Sequence, residues 1–248
     1  RVPKTLSEEV TNLVPNHNNL VNKNSIYMFG KDKIYISKTA NIEPLTVLNA
    51  ENGPIIIKDN VQIKSFTYIE GPVYIGSNSI VKPHSQISSS AIGPTCKIGG
   101  EIEHSIVQGY SNKVHDGHLG NAFLGEWVNI GAGTTNSNLK NTYSNVKVVI
   151  HENNIDTGQT SVGSFIGDFV RTGIGTQLNT GAVVGPCSNI VSTSISPKYF
   201  DSFSWYIDGK NDSYRISDFI KTAKNIKERR DKILSPAEIS FFKQLNQL

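Results

Sequence analysis

Side chains that could do chemistry are concentrated in one stretch of the chain, residues 111–138. Its first part is irregular and carries His115 and His118, and its last part carries Gly131, Ala132 and Gly133. Histidine titrates near neutral pH, so it can remove a proton from an amine as a general base. A backbone of small residues allows close approach, and its N–H groups can stabilise an oxyanion. These residue types suit a reaction in which a histidine takes a proton and backbone N–H groups stabilise a negative charge.

The two histidines could instead be metal ligands, with His84 or His104 as a third. Two histidines three residues apart outside a helix are weak evidence for zinc when no third ligand stands at a fixed spacing. We therefore predict no metal site.

Several polar residues around this stretch have both a binding and a structural interpretation. Asn129 and Asn138 could hydrogen-bond to a ligand, but asparagine is also common at tight corners of the backbone. Lys140 and Lys147 could meet phosphate as point charges, or they could be solvated surface residues. The arginine pair at 229–230 could reach ligand phosphates or form a salt-bridged helix face. The residue types alone leave these alternatives open.

The elements that must position these residues are indicated by a repeat with a period of six. An aliphatic residue followed by glycine recurs through the chain, as at Ile75, Ile92 and Ile166. Strand side chains alternate between faces, so a spacing of six keeps the aliphatic residues on one face. Three such edges make one coil, and stacked coils bury a continuous core, which predicts an all-β hexapeptide parallel β-helix. The positions predicted to face the core are Ile36, Ile42, Leu48, Ile57, Ile63, Ile69, Ile75, Val81, Ile87, Ile92, Ile98, Leu124, Ile130, Ile166, Thr172, Leu178, Val184 and Ile190.

The repeat is interrupted in two places. Its period slips between residues 101 and 119, and an insertion replaces it between residues 134 and 162. Functional residues are often carried by loops that a rigid scaffold positions. The sequence therefore predicts the functional site near these two adjacent irregular segments.

The end of the chain has a helical pattern instead. Apolar residues take helical spacing after residue 213, and Ser235 to Glu238 form a capping box with proline at the first helical position. The end coil of a β-helix must be covered, so we predict that two C-terminal helices cap it. We divide the chain into a linker at 1–33, a β-helix domain at 34–196 with its insertion at 134–162, and an aromatic strap with helices at 197–248.

Charge and cysteine content exclude some partners. The net charge of +3 over 248 residues is too small to indicate nucleic-acid binding. After residue 212, eight Lys and Arg stand against four acidic residues, so the positive excess lies at the C-terminal end. Cys96 and Cys187 cannot form a disulfide framework, which indicates a reducing compartment, and we expect a cytoplasmic protein. No apolar run approaches the length of a membrane span, so no membrane partner is predicted.

A set of motifs resembles one known family. The motifs are NAENGPI at 49–55, GGEIEHS at 99–105, GYSNKVHDG at 109–117, LGEWVNIGAGT at 124–134, NSNLKN at 136–141, IGDFVRTGI at 166–174 and NTGAVVG at 179–185. They resemble the C-terminal β-helix of sugar-phosphate nucleotidyltransferases, relatives of the bifunctional UDP-N-acetylglucosamine pyrophosphorylase/glucosamine-1-phosphate N-acetyltransferase. The resemblance implies a left-handed coil, a homotrimer, acetyl-CoA as co-substrate and an amino-sugar phosphate as acceptor. The Gly-rich nucleotide loop of the other half is missing, which implies a C-terminal portion. Mg²⁺ is expected only if that other domain is present.

The resemblance and the residue types together predict the site. The catalytic residue is expected to be His115, which falls on the general base of the family. Ala132 falls on a position beside the acyl-CoA. The expected substrate-binding residues are Asn129, Asn138, His118 and Lys147, and the expected cofactor-binding residues are Gly131, Ala132, Gly133 and Lys140.

The chain also departs from the family pattern. His118 stands where the family has a tyrosine, and Glu103 or His104 stands where it has a lysine that holds sugar phosphate. A second lysine of the family falls near Ser144 in this chain, and a serine that meets the cofactor falls near Ile174. The scaffold therefore matches better than the substrate contacts, and His118 could substitute for the tyrosine as a hydrogen-bonding group.

Three functions fit this sequence. The first is an acyl-CoA-dependent N-acetyltransferase that acts on an amino-sugar 1-phosphate in nucleotide-sugar biosynthesis. The second is a non-catalytic oligomerisation or regulatory β-helix module of a sugar-phosphate nucleotidyltransferase. The third is an O-acyltransferase that uses the same histidine on a different acceptor. The retained His115 and Asn129 favour the first function, whereas the altered substrate contacts favour the second.

Overall fold

In a computed structural model, which describes residues 25–247, the backbone winds into a left-handed parallel β-helix with a helical C-terminal cap. Three parallel sheets form its three faces, and between residues 26 and 130 each coil contributes one strand to each face. The all-β fold predicted from the period of six is confirmed.

The first sheet contains six strands, which are β1 (Ile26–Phe29), β4 (Thr46–Asn49), β7 (Tyr68–Glu70), β10 (Gln86–Ser88), β13 (Glu101–Glu103) and β16 (His118–Gly120). The second contains nine strands, which are β2 (Ile34–Ile36), β5 (Ile55–Ile57), β8 (Val73–Ile75), β11 (Ala91–Ile92), β14 (Ile106–Val107), β17 (Phe123–Leu124), β22 (Phe165–Ile166), β25 (Val183–Val184) and β27 (Tyr199–Phe200).

The third sheet contains ten strands, which are β3 (Asn41–Ile42), β6 (Gln62–Ile63), β9 (Ile80–Val81), β12 (Lys97–Ile98), β15 (Asn112–Lys113), β18 (Asn129–Ile130), β23 (Arg171–Thr172), β26 (Asn189–Val191), β28 (Ser204–Ile207) and β29 (Lys210–Ser213). Only its last strand, β29, runs antiparallel to its neighbour. Two smaller pairs are formed by β19 (Thr135–Asn136) with β24 (Gln177–Leu178), and by β20 (Lys147–Ile150) with β21 (Asn153–Asp156).

The core is the column of inward-facing side chains that the repeat predicts. Every repeat position expected to face the core is between 0% and 6% exposed. Strand pairing places Ile63 beside Val81 and Ile69 beside Ile87, so aliphatic side chains stack from coil to coil. Removing this apolar surface from water is the main force that holds the coils together.

The coils continue through the segment where the period slips, residues 101–119. Ile102, Val107 and Leu119 point into the core there, each no more than 3% exposed. Lys113 takes the inward position of β15 and is only 1% exposed. The apparent interruption is thus a regular part of the solenoid in which a lysine replaces an aliphatic residue.

The structure adds strands outside the predicted limits of the β-helix. β1 lies within the segment 1–33 and pairs with β4, while residues 1–24 of that segment lie outside the described residues. β27 and β28 pair with β25 and β26, so regular pairing continues past residue 196 into the predicted strap. Within the insertion 134–162, β19 pairs with β24 of a later coil, and β20 and β21 form a hairpin.

Two helices, α1 (Ile216–Glu228) and α2 (Pro236–Leu245), form the cap. The predicted capping box is present, because Ser235 accepts from the Glu238 backbone N–H while the Glu238 carboxylate accepts from the backbone N–H of Ser235. The helices pack on an aromatic row that follows one corner of the solenoid. The buried members of this cluster are Trp127, Phe169, Cys187, Phe203, Phe219, Ala223, Leu234 and Phe242. Among residues 25–247, neither helix combines the length and apolarity required to cross a membrane.

Candidate functional site

His115 lies on the short turn that joins β15 to β16. Its side chain is exposed, and no hydrogen bond within residues 25–247 uses its ring. The Lys113 ammonium stabilises this turn from the core, since Nζ donates to the carbonyl of Gly99 at 2.8 Å and to that of His115 at 2.7 Å. Burial lowers the pKa of Lys113 to about 8, and the nearby Asp116 and Glu101 carboxylates partly offset this effect. The candidate base is therefore presented to solvent on a backbone that a buried cation fixes.

The Gly131-Ala132-Gly133 corner lies directly against this turn. The backbone N–H of Gly133 donates to the carbonyl of Asp116 at 3.2 Å, so the turn of His115 and the small-residue corner are hydrogen-bonded neighbours. The structure thus brings together the predicted base and the predicted acyl-CoA position, which are about one coil apart in sequence.

Only one of the three corner N–H groups remains available to a ligand. Gly131 donates to the Thr172 hydroxyl at 2.9 Å, and Gly133 donates to Asp116. The N–H of Ala132 makes no hydrogen bond within residues 25–247, although its carbonyl accepts from Gly175 at 2.7 Å. A role in oxyanion binding is therefore restricted to Ala132.

His118 lies in a polar cluster with Glu103 and Asn138. Its Nδ1 is 3.2 Å from the carbonyl of Asn136, and its Nε2 is 3.1 Å from Oε1 of Glu103. Both partner atoms are acceptors, so both contacts are hydrogen bonds only when the ring carries two protons. Asn138 donates to the same Glu103 oxygen at 3.3 Å and to Asn121 at 2.8 Å. The predicted substrate residues His118 and Asn138 are thus brought together, around a carboxylate.

This cluster has an acidic edge. An oxygen of Glu101, an oxygen of Glu103 and a ring nitrogen of His118 all lie within 4.8 Å of one another, and Glu101 is exposed. Two carboxylates repel a phosphate. The surroundings of His118 therefore favour a neutral or cationic part of a ligand.

Asn129 lies on another face of the solenoid. It is on β18 in the third sheet, and its Oδ1 accepts from Nδ2 of Asn112 at 3.3 Å. Its own Nδ2 makes no hydrogen bond within residues 25–247, so that donor is available to a ligand. Asn129 and His118 belong to different sheets and are not brought together within the chain.

The two predicted lysines lie in the insertion. Lys140 donates to Oγ of Ser144 at 3.0 Å, which closes a local turn. Lys147 is exposed on the hairpin strand β20, opposite Asp156. Neither side chain makes a hydrogen bond to the turn of His115 within the described residues. Their predicted roles toward phosphate and cofactor have no support from contacts in this chain.

Sequence reasoning missed Lys113 and the central role of Glu103. The signal for Lys113 was present, since Val107, Lys113 and Leu119 continue the spacing of six through the slipped segment. A lysine at an inward repeat position has to find partners for its ammonium in the core. No comparable spacing signal marks Glu103, because outward positions of a β-helix accept any polar residue.

Comparisons with known proteins agree with this architecture. Residues 54–89 match the family model described as bacterial transferase hexapeptide (six repeats). A bifunctional sugar-1-phosphate nucleotidylyltransferase/acetyltransferase from Sulfurisphaera tokodaii is 38% identical over 145 residues, which are 56% of this chain and 35% of that protein. The bifunctional protein GlmU of Rippkaea orientalis is 35% identical over 111 residues, which are 44% of this chain and 23% of that protein. The chain thus spans about a third or less of the length of these relatives.

A solved structure was also found to be similar. It is the AntD N-acyltransferase from Bacillus cereus, in complex with dTDP-4-amino-4,6-dideoxyglucose and coenzyme A, and it is 15% identical with a TM-score of 0.34 over 82% of this chain and 91% of that one. The sequence relatives are more than twice as identical to this chain as that structure is. They confirm the resemblance drawn from the motifs: the chain carries bacterial transferase hexapeptide repeats and is similar to bifunctional sugar-1-phosphate nucleotidylyltransferase/acetyltransferases.

Proposed function

We propose that the chain is an acyl-CoA-dependent N-acetyltransferase that acts on an amino-sugar 1-phosphate in nucleotide-sugar biosynthesis, with His115 as the general base. The observation that carries this proposal is the hydrogen bond between Gly133 and Asp116, which joins the His115 turn to the small-residue corner. The relatives named as acetyltransferases support the reaction class.

The chemistry follows from this arrangement. A free amine attacks the carbonyl carbon of acetyl-CoA, a C–N bond forms, and the C–S bond breaks to release the CoA thiol. The ring of His115 is exposed and free of internal hydrogen bonds, so it can take the proton that the amine loses and return it to the sulfur. The N–H of Ala132 is available to the carbonyl oxygen as negative charge develops there.

The acceptor is proposed to lie beside His115, in contact with the His118 cluster of the first sheet and with Asn129 of the third sheet. His118 and Asn138 would contact its hydroxyl or ammonium groups beside Glu103, because this cluster is acidic. Asn129 would contact it from the third sheet through its free Nδ2. Lys147 remains a proposed contact that a second copy of the chain would have to present.

The test is release of free CoA from acetyl-CoA with a panel of amino-sugar phosphates. We expect turnover in the wild type and a loss of at least about 100-fold in His115→Ala, since general bases contribute that much or more. His151→Asn is the matched control, because His151 is also an exposed histidine on a turn but contacts Tyr199 in the hairpin region. Equal turnover in wild type and His115→Ala, or no turnover with any acceptor, would overturn the catalytic proposal.

One observation favours the alternative, a non-catalytic oligomerisation or regulatory module of a nucleotidyltransferase. Glu103 or His104 stands where the resemblance implies a phosphate-binding lysine, and Glu103 already contacts His118 and Asn138. A module without activity would still form the β-helix and the cap. It would release no CoA under the conditions of the test above.

A further inference from the structure

A second pocket lies on the outer face of the third sheet, beneath helix α1, away from the His118 cluster. It has a volume of about 140 Å³. Its lining combines side chains of β12, β15, β18 and β23 with the end of α1. The residues that line it are Lys97, Tyr110, Asn112, Trp127, Asn129, Arg171, Ile226, Arg229 and Arg230, with Val128.

The pocket has an excess of positive charge among the residues that the structure describes. Four of its side chains are cations, Lys97, Arg171, Arg229 and Arg230, and no carboxylate of residues 25–247 lines it. None of the four takes part in an ion pair within residues 25–247. Like charges held close together repel one another, so the folded protein accepts an electrostatic cost here that a bound anion would remove.

Arg171 is the most constrained of these cations. Its Nε is buried and has no hydrogen-bond partner within the described residues. Burial lowers the pKa of Arg171 from its ordinary value, the neighbouring Arg229 lowers it further, and Tyr214 acts in the opposite direction. A buried N–H without an acceptor costs about 1–3 kcal/mol, so Arg171 is held in the wall of the pocket with one donor unsatisfied.

Arg230 and two asparagines of the pocket form a chain of hydrogen bonds. Arg230 donates through Nη2 to Oδ1 of Asn112 at 2.7 Å and through Nη1 to the carbonyl of Thr95 at 3.3 Å. Asn112 in turn donates to Oδ1 of Asn129, which leaves Nδ2 of Asn129 as a further free donor. These hydrogen bonds fix the side-chain amide of Asn129 in an orientation that leaves its Nδ2 able to donate to a ligand.

We propose that this pocket binds the phosphate group of a small ligand, with Arg171, Arg229 and Asn129 as donors and Lys97 and Arg230 as surrounding charge. Arginine suits this role because its planar guanidinium donates two parallel hydrogen bonds to phosphate oxygens. The chain has Glu103 or His104 where the family resemblance implies a phosphate-binding lysine, and this pocket supplies cations at another place on the solenoid. The proposal stands whether or not His115 is a base, since binding needs no turnover.

The test measures binding of inorganic phosphate to the full chain by isothermal titration calorimetry in a Tris–chloride buffer. We expect saturable binding to the wild type and at least a tenfold loss of affinity in Arg229→Gln and in Arg171→Met. Arg229 is exposed, so its replacement leaves the core packing intact. Lys221→Gln is the matched control, because Lys221 is an exposed cation on the same helix outside the pocket, and it should bind phosphate like the wild type.

Two further ligands distinguish the source of the phosphate. Glucosamine 1-phosphate that binds more tightly than inorganic phosphate would identify a sugar phosphate, and adenosine 3′,5′-bisphosphate that does so would identify the nucleotide end of coenzyme A. Either result supports the pocket provided that Arg229→Gln weakens it. No saturable binding, or equal binding by wild type, Arg229→Gln and Lys221→Gln, would overturn the proposal.

Discussion

Lys113 places a positive charge inside a hydrocarbon column. It stands between Ile98 and Ile130 in the stack of the third sheet, and its residue is 1% exposed. A charge in such surroundings persists only with good hydrogen-bond partners, and here these are the carbonyls of Gly99 and His115. One residue therefore links the stability of the core to the position of the proposed base.

The pKa of Lys113 predicts a dependence of stability on pH. Between pH 8 and the ordinary lysine value of 10.5, the unfolded chain keeps a proton that the folded chain releases, so stability increases with pH across this window. The increase is on the order of 3 kcal/mol for this one group. Lys113→Met should remove it, as measured from urea unfolding at pH 8, 9 and 10.

The control for this measurement is Lys38→Met, which removes an exposed lysine from a turn. Its unfolding free energy should follow the pH as in the wild type. A Lys113→Met variant with the same pH dependence as the wild type would show that the Lys113 ammonium is not the cause.

At the level of single residues, the sequence predicted positions better than contacts. His115 and the corner at 131–133 lie about one coil apart in the sequence, and the stacking of coils makes the turn of His115 a hydrogen-bonded neighbour of that corner. The pairing of His118 with Glu103 could not be anticipated, because the outward positions of a coil obey no pattern. The free donor of Asn129 and the orphaned Nε of Arg171 depend on side-chain conformations that no spacing rule contains.

Among the elements, the corners carry most of the chemistry. The corner at 131–133 is built from small residues because the next coil lies almost in contact with it. A Cβ on Gly131 would come within 2.3 Å of the carbonyl oxygen of Gly173. Gly133 has a φ of +69° but open space around it, with the nearest atoms at 3.8 Å. The two glycines are thus required for different reasons, one for close approach and the other for its backbone conformation.

This difference predicts unequal effects of the same substitution. Gly131→Ala should lower the free energy of unfolding by about 3 kcal/mol, since the added methyl group has to push two coils apart. Gly133→Ala should lower it by about 1 kcal/mol, the cost of a left-handed alanine. Urea unfolding of both variants measures the difference. Equal losses, or a larger loss in Gly133→Ala, would contradict the close approach at Gly131.

The elements themselves were predictable where one local rule decides them. The period of six located the coils, and the Ser235–Glu238 capping box located the start of α2. The hairpin of β20 and β21 lacked such a signal. The coil formed by β27 and β28 also lacked it, because the residues at 197–207 are aromatic rather than aliphatic at the repeat positions. Packing against the preceding coil, which is a tertiary effect, decides those strands.

At the scale of the whole molecule, one exposed apolar side chain lies beside the proposed site. Ile174, which is 79% exposed, lies in the corner stacked on Ala132. The homotrimer that the family resemblance implies stays a prediction, and we expect Ile174 to lie at its contact.

We predict a particle of three times the 27.2 kDa chain mass. Light scattering coupled to size-exclusion chromatography measures this directly. Ile174→Asp should weaken the assembly, because a carboxylate would be buried at the contact without a partner. A wild-type mass of a single chain would contradict the trimer and any acceptor site shared between copies.

The contact of α1 with the third sheet also has a consequence for how the protein is made. Across much of the solenoid, hydrogen bonds between neighbouring coils join residues 14 to 18 positions apart, such as Ser111 with Gly125 and Asn60 with Asn78. Across the insertion they join residues 41 or 42 positions apart. Arg230 instead bonds to Thr95 and Asn112, which precede it by 135 and 118 residues. During synthesis the coils can therefore assemble in order as they leave the ribosome, whereas the cationic pocket closes only when α1 and the residues that follow it have emerged. A chain that stops before residue 216 should form the coils and yet fail to bind phosphate.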